Sequence, residues 1–244
     1  MSARLLAAVI IANAAASNGA LALQKTVPDI LPGSTMVDAA RIPTGAWERK
    51  LIRSANGADQ VIGSVSQSIA ATEIRGQPAL IAITTITTQR GSGADTTILS
   101  TRGLVPISHR SLNPGRALDL NFDGRLVHGS ITPAGGTANP IRQETAVPTF
   151  DSAVMDLVIA ALPLQTGFAA RIPIFILEQN GLVWLDVRVT AETRIQDADR
   201  TVHVFEVAAR APSGDTRYFI ETTTREVVRT SFLSPDGTEL RIIR

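Results

Sequence analysis

The sequence contains no cysteine, and this absence excludes several classes of site. Without cysteine the chain has no disulfide framework, no thiolate metal site, no cysteine nucleophile and no acyl-cysteine anchor. A chain of 244 residues can nevertheless fold without disulfides, because it is long enough to bury a sizeable apolar core.

Aromatic residues are scarce, at 4% of the chain, whereas hydrophobic residues make up 44%. The core must therefore consist mainly of Val, Ile, Leu and Ala, with Trp47 and Trp184 among its few large side chains. An excess of one charge sign is also missing, since the formal net charge is only +1. Such a balance provides no electrostatic footprint for nucleic acid or an anionic membrane surface.

Residues 1–22 have the pattern of a secretory signal peptide. Arg4 supplies the positive charge, an apolar run follows at 5–16, and Ala20-Leu21-Ala22 is a small-x-small cleavage site. A second small-residue site at 14–16 leaves the cleavage position open. The run is shorter than the roughly 20 apolar residues of a membrane span. We therefore expect a soluble periplasmic or secreted protein that does not span the membrane after cleavage, with an uncleaved anchor as the alternative.

Turn signals at short, even spacing indicate an antiparallel β protein. The dipeptides Asn56-Gly57, Asp123-Gly124, Asn180-Gly181 and Asp236-Gly237 are strong hairpin signals, and further turns are predicted at 91–95, 113–115, 133–136 and 212–215. Tight hairpins require antiparallel neighbours, because parallel strands need long crossovers. Residues 23–45, which are rich in proline, are predicted to be a leader or linker.

The runs with strand character lie at about 46–55, 60–73, 78–89, 95–101, 104–111, 116–122, 125–132, 138–147, 168–178, 182–194, 201–211, 215–222, 227–233 and 238–243.

One helix is predicted between these two groups of strands, over residues 152–162. Asp151 is a suitable N-cap, and Phe150 and Met155 occupy the positions of a hydrophobic staple. Pro163 ends the helix, since the residue before a proline disfavours the α region.

The helix is apolar on nearly all sides, with Ser152 and Asp156 as its only polar residues. Such a helix has to be covered on most sides. We therefore predict an all-β fold, a curved antiparallel meander or half-barrel wrapped around one short apolar helix. Residues 46–244 would form this single domain. A two-sheet sandwich with the helix at one end is the alternative architecture.

Motifs for catalysis, metals and cofactors are missing. The histidines, His109, His128 and His203, form neither an HxH nor an HExxH pattern, and the sequence has no GxSxG elbow. Asp-Ala-Asp at 197–199 lacks the glycine and distal glutamate of a calcium loop, so a hairpin turn is the better interpretation. We predict no metal site, no cofactor and no enzymatic activity, and we expect the histidines to be surface or strand-paired residues.

The region from the helix onward resembles the domain-of-unknown-function 3108 family. The resemblance rests on Asp151-Ser-Ala-Val-Met, on Leu162-Pro-Leu-Gln-Thr-Gly167, on Asn180-Gly181 and on the strand 187–192 followed by Thr193. It implies an exported bacterial envelope protein. The sheet-around-helix plan is similar to that of LolA/LolB-type carriers, which shield lipid in a half-open barrel.

This plan leads to two functional expectations. The first is a binding or carrier module for an apolar, lipid-like ligand. The second is an envelope interaction protein with a filled core, a protein partner and no small ligand. For the carrier, the helix would supply the lining residues, which are Val154, Met155, Leu157, Val158, Ile159 and Leu162. Asp156 needs a partner on this apolar helix, and we expect Arg171 or Arg188 to provide it.

Overall fold

A computed structural model of the protein describes residues 27–55, 57–212, 214–233 and 237–244. The predicted signal peptide, 1–22, lies outside these residues. Within the described ranges no helix is long and apolar enough to cross a membrane.

In this part of the chain a single sheet of 15 strands forms the fold, and its order is β8-β7-β6-β5-β4-β3-β2-β1-β15-β14-β13-β12-β11-β10-β9. The strands are β1 (Gly45–Ala55), β2 (Ala58–Ile74), β3 (Gln77–Thr88), β4 (Gly91–Ser100), β5 (Pro106–Asn113), β6 (Arg116–Asp123), β7 (Leu126–Pro133), β8 (Asn139–Glu144), β9 (Phe150–Asp151), β10 (Ala169–Ile176), β11 (Gly181–Asp197), β12 (Arg200–Ala211), β13 (Gly214–Glu221), β14 (Val227–Leu233) and β15 (Glu239–Ile243). Neighbours pair antiparallel, except that β9 runs parallel to β10. The first and last strands, β1 and β15, pair in the middle of the sheet and join its two halves.

The turn chemistry that the sequence predicts accounts for most hairpins. The loop between β1 and β2 contains Gly57, and Asn180 and Gly124 adopt positive φ at two other turns. The segment 197–199 is a hairpin turn, as predicted. The turn predicted at 91–95 is wrong, because Thr88 pairs with Gly91 and the chain reverses at residues 89–90.

The predicted helical segment is present but has two parts. A 3-10 turn spans Ser152–Val154, and the helix α1 spans Met155–Ala160. The Asp151 side chain caps the first part by accepting a hydrogen bond from the Ala153 amide at 3.1 Å. Ala161 ends the helix two residues before Pro163.

Residues 28–42, part of the predicted leader or linker, pack against the fold. Ile30, Val37 and Ile42 are buried in the main core. The Ile30 amide donates to the Arg171 carbonyl, and the Arg171 amide donates to the Pro28 carbonyl, both at 2.8 Å. These bonds satisfy backbone groups on the outer edge of β10, which would otherwise lack partners.

The sheet is open, and its two ends approach each other through side chains. Phe122 on β6 and Phe175 on β10 meet edge to face with their ring centroids 6.0 Å apart. Gln143 on β8 donates to the Asn180 carbonyl beside β11. The sheet therefore curves around α1 until its ends touch, which confirms the predicted all-β class and the antiparallel sheet curved around one short helix.

Candidate functional site

The helix α1 has only six residues and fills only part of the concave face of the sheet. Beside its first turn lies a cleft of about 230 Å³. The cleft is lined by Arg49, Val65, Gln67, Thr84, Ile86, Asp95, Ser152, Ala153, Met155, Asp156, Tyr218, Val227, Thr230 and Ile242. Most of these residues come from the strands β1 to β4 and β13 to β15, so the sheet forms most of the wall.

The six residues predicted to line a ligand site are all buried. Val154, Val158, Ile159 and Leu162 lie in the main core and border neither cavity beside α1. Met155 lines the cleft, and Leu157 lines an adjoining space of about 10 Å³. The structure brings the six residues together as core, with only Met155 at the cleft.

A buried polar cluster closes the inner end of the cleft. Gln67 on β2 donates to the Asp156 carboxylate at 2.8 Å, and Arg49 donates to the Gln67 side-chain oxygen at 3.3 Å. Arg49 is only 7% exposed, and its Nε has no hydrogen-bond partner among the described residues. The prediction that Arg171 or Arg188 pairs with Asp156 is wrong. Arg171 forms an ion pair with Asp29 at 2.9 Å, and Arg188 is exposed.

Carboxylates balance the charge of Arg49. Its guanidinium lies 3.4 Å from Glu226, which also binds Arg244. Arg244 in turn lies 3.2 Å from Asp197. The inner end of the cleft is therefore an alternating chain of cations and anions that extends from β1 to the end of β11.

Burial changes the protonation of this cluster. Desolvation raises the pKa of Asp156, although Gln67 and Arg49 act in the opposite direction. Burial lowers the pKa of Arg49, while Glu226 and Asp156 raise it. Burial and the charge of Asp156 raise the pKa of the Tyr218 hydroxyl above its usual range, so the phenol is neutral.

A second polar group lies directly behind the cleft. His109 on β5 lies between two carboxylates, with Nδ1 2.7 Å from Asp151 and Nε2 3.5 Å from Asp95. Thr97 also donates to Asp151, at 2.9 Å. Because Asp151 caps the helical segment as well, this group fixes the start of the helix to β4 and β5.

The two carboxylates hold His109 as an imidazolium at neutral pH. Burial alone would lower the pKa of His109, but Asp151 and Asp95 raise it to about 10. The His109 ring beside Asp95 lowers the pKa of that carboxyl, although burial opposes this. The carboxylates lie against different nitrogens of one ring, and among the described residues no His, Asp and Glu side chains are grouped to hold a metal ion.

Most of the chain matches a known protein family. The profile described as a protein of unknown function, DUF3108, matches residues 57–242. The chain belongs to the DUF3108 family. Among curated proteins, none matches the sequence.

The DUF3108 match includes every residue that lines the cleft except Arg49, which lies on β1 before the matched region. Sequence reasoning singled out Asp151 and Asp156 and missed His109, Arg49 and Gln67. Local patterns indicated no partner for these three residues, because β1, β2 and β5 reach the helix only through the curvature of the sheet. The alternation of β2 puts Val65, Gln67 and Ile69 on one face. A polar side chain in this apolar row indicates that Gln67 has a buried polar partner.

Proposed function

We propose that this DUF3108 protein is an exported binding or carrier module for an apolar, lipid-like ligand, which it holds in the cleft beside α1. The proposal depends on one observation, that the helix leaves part of the concave face of the sheet uncovered. The residues that would contact the ligand therefore come mainly from the strands rather than from the helix.

The wall of the cleft suits an apolar group. Val65, Ile86, Met155, Val227 and Ile242 line it, and they come from four strands and the helix. Small-molecule sites are concave and mostly apolar, with a few polar groups that fix the orientation of the ligand. The volume of about 230 Å³ lies just below the usual range of roughly 300–1,000 Å³ and suits one short chain or ring.

The remaining support comes from the sequence. The signal-peptide pattern of residues 1–22 favours a periplasmic or secreted location. The open sheet around a helix is also consistent with the suggested similarity to LolA/LolB-type carriers. We assign no catalytic step to the cleft.

The proposal can be tested by native mass spectrometry of protein purified without detergent from an envelope fraction. We expect a co-purifying acyl compound at near-stoichiometric amount, together with binding of the uncharged fluorescent dye N-phenyl-1-naphthylamine. Protein that is ligand-free and also fails to bind the dye would contradict the proposal.

Two substitutions on β3 provide a matched pair for this test. Ile86→Trp would place a large ring in the cleft and should abolish dye binding. Ile83→Trp lies three residues earlier, on the opposite face of the strand, and should leave dye binding unchanged. Both isoleucines are more than one-third exposed, so neither change should unfold the protein.

A second candidate function is that of an envelope interaction protein without a small ligand. The observation that favours it is the complete burial of Val158, Ile159 and Leu162, which makes most of the helix part of a filled core. This function would be preferred if both β3 variants behave like the wild type in dye binding and a protein partner is captured from the envelope fraction.

A further inference from the structure

A second cavity of about 550 Å³ lies nearer the open end of the concave face. It is lined by Arg53, Gln60, Ile62, Thr88, Gln89 and Arg90. We call this cavity the mouth. It continues the cleft along two strands. Arg53 follows Arg49 on β1, and Thr88 follows Ile86 on β3, each at an even spacing that keeps the side chains on one face.

The wall between cleft and mouth is apolar. Leu51 pairs with Ile242, which lines the cleft, and Arg53 pairs with Leu240. Phe232 pairs with Leu240 from the other side. Residues directly opposite each other in a sheet share a face, so these apolar side chains line one surface with Arg53 at its outer end. From Arg49 to Arg53 this surface is about 14 Å long, at about 3.4 Å per residue.

The two arginines of the mouth differ from the arginine of the cleft. Within the described ranges, neither Arg53 nor Arg90 lies within ion-pair distance of a carboxylate, and both are exposed. Arg49, by contrast, is buried beside Glu226 and close to Asp156. The inner end of the concave face is therefore balanced in charge, whereas the outer end carries two arginines that no carboxylate of the described residues approaches within ion-pair distance.

We propose that the ligand is a single-chain anionic amphiphile, whose carboxylate or phosphate head binds Arg53 and Arg90 at the mouth while its chain lies in the cleft. Guanidinium groups bind both kinds of head through charge-assisted hydrogen bonds. The apolar wall that ends at Arg53 orients the ligand, with its chain directed towards Tyr218. This inference rests on the proposed function and adds the charge and orientation of the ligand.

Dye displacement with four probes tests the inference. The probes are dodecanoate, dodecyl phosphate, the neutral 1-dodecanol, and decane as a chain without a head. We expect the two anions to bind at least about tenfold more tightly than dodecanol, and this preference should weaken as salt is added. A difference between dodecanoate and dodecyl phosphate identifies the preferred head.

The double variant Arg53→Gln/Arg90→Gln should lose the preference for anions and keep the affinity for dodecanol. Arg110→Gln is the control, because Arg110 is also exposed but adjoins the inward-facing His109 and so lies on the other face of its strand. The melting temperature of each variant shows that the fold is retained.

Two results would overturn the inference, and they have different consequences. Equal affinity for dodecanol and the anions, unchanged in the double variant, refutes the anionic head but leaves the proposed carrier function standing. Failure of all four probes to displace the dye or bind refutes the carrier function itself.

Discussion

Asp151 belongs to two structures at once, a helix cap and a buried ion pair. One carboxylate oxygen accepts from the Ala153 amide, and the other contacts His109 and Thr97. Loss of one partner from a buried ion pair leaves an uncompensated charge, which is more costly than the pair itself is stabilising.

Asp151→Ala should therefore lower the free energy of unfolding by about 3 kcal/mol or more, as measured by urea denaturation. Asp123→Ala is the matched control. Asp123 also contacts a histidine, His128, at 2.9 Å, but this pair is exposed and its loss should cost no more than about 1 kcal/mol. Equal losses in the two variants would show that the burial of Asp151 contributes nothing.

His109 should make stability decrease in alkaline solution. Its folded pKa, about 10, lies above its ordinary value of 6.5, so the folded state binds the proton more tightly than the unfolded state. The contribution is complete below pH 6.5 and is lost as the pH rises through about 10. The free energy of unfolding should therefore fall across this window in the wild type and fall much less in His109→Gln. Parallel curves for the two proteins would rule out this role.

Asp156 should make the folded protein less stable as the pH rises, whereas a carboxylate with a lowered pKa makes it more stable. Burial raises its pKa, so ionisation of the folded protein is unfavourable and stability falls as the pH rises above the ordinary value of 3.8. Asp156→Asn keeps the shape and a hydrogen bond to Gln67 without the charge. We expect its melting temperature to equal that of the wild type at pH 4 and to exceed it at pH 8. A lower melting temperature at pH 8 would mean that the charge is needed opposite Arg49.

The sequence predicts these residues only in part. The capping role of Asp151 follows from its neighbours along the chain, and so does the need of Asp156 for a partner. The partners themselves were missed or wrong, because Gln67 and His109 lie 89 and 42 residues away from the carboxylates they contact. Which strand faces the helix is determined by the curvature and register of the whole sheet, which local patterns do not specify.

The helix α1 depends on its surroundings for stability. Isolated helices shorter than about 12–15 residues are marginal in water, and this one has six residues. Its stability must come from packing inside the sheet, where Leu157 is 3% exposed and Val158 is fully buried.

Val158→Asp should therefore place an unpaired charge in the core and cost several kcal/mol. Ser152→Asp, at the exposed start of the same helical segment, should change stability by less than about 1 kcal/mol. Thermal unfolding followed by circular dichroism compares the two. An unchanged melting temperature for Val158→Asp would show that the helix is not enclosed.

The hairpins show which turns can be predicted from glycine and asparagine and which cannot. Gly57 and Asn180 mark turns because both have a positive φ, a backbone conformation that favours glycine or asparagine. Gly93 has another purpose, since an added Cβ would lie 3.2 Å from the Cβ of Asn113. Glycine there allows the next hairpin to approach β4 closely, and sequence alone does not distinguish this need from a turn.

At the scale of the whole molecule, the two ends of the open sheet meet through side chains rather than through a hydrogen-bond ladder. Apolar contacts between β6 and β10 and the ion pair of Arg116 with Glu178 connect its two ends. The all-β class was predictable from strand alternation and turns. The contact between the ends was not, because it depends on the accumulated twist of many strands.

Phe122→Ala should separate these ends and lower the free energy of unfolding by about 3 kcal/mol or more, because it leaves a cavity beside Phe175. Arg116→Ala removes a half-exposed ion pair at the same junction and should cost less than about 1 kcal/mol. Hydrogen exchange of β6 and β10 should increase only in the first variant. A larger loss for Arg116→Ala would mean that charge, rather than apolar packing, holds the ends together.

The pairing of β1 with β15 has a consequence for how the protein reaches its native state. Lys50 lies opposite Ile243, so the contact that unites the two halves joins residues that are far apart along the chain. Contacts so distant in sequence form late and slow the folding reaction. Each meander can assemble by itself, but the two cannot unite until β15 is available to pair with β1. A nascent chain that is truncated before β15 should therefore remain sensitive to proteases.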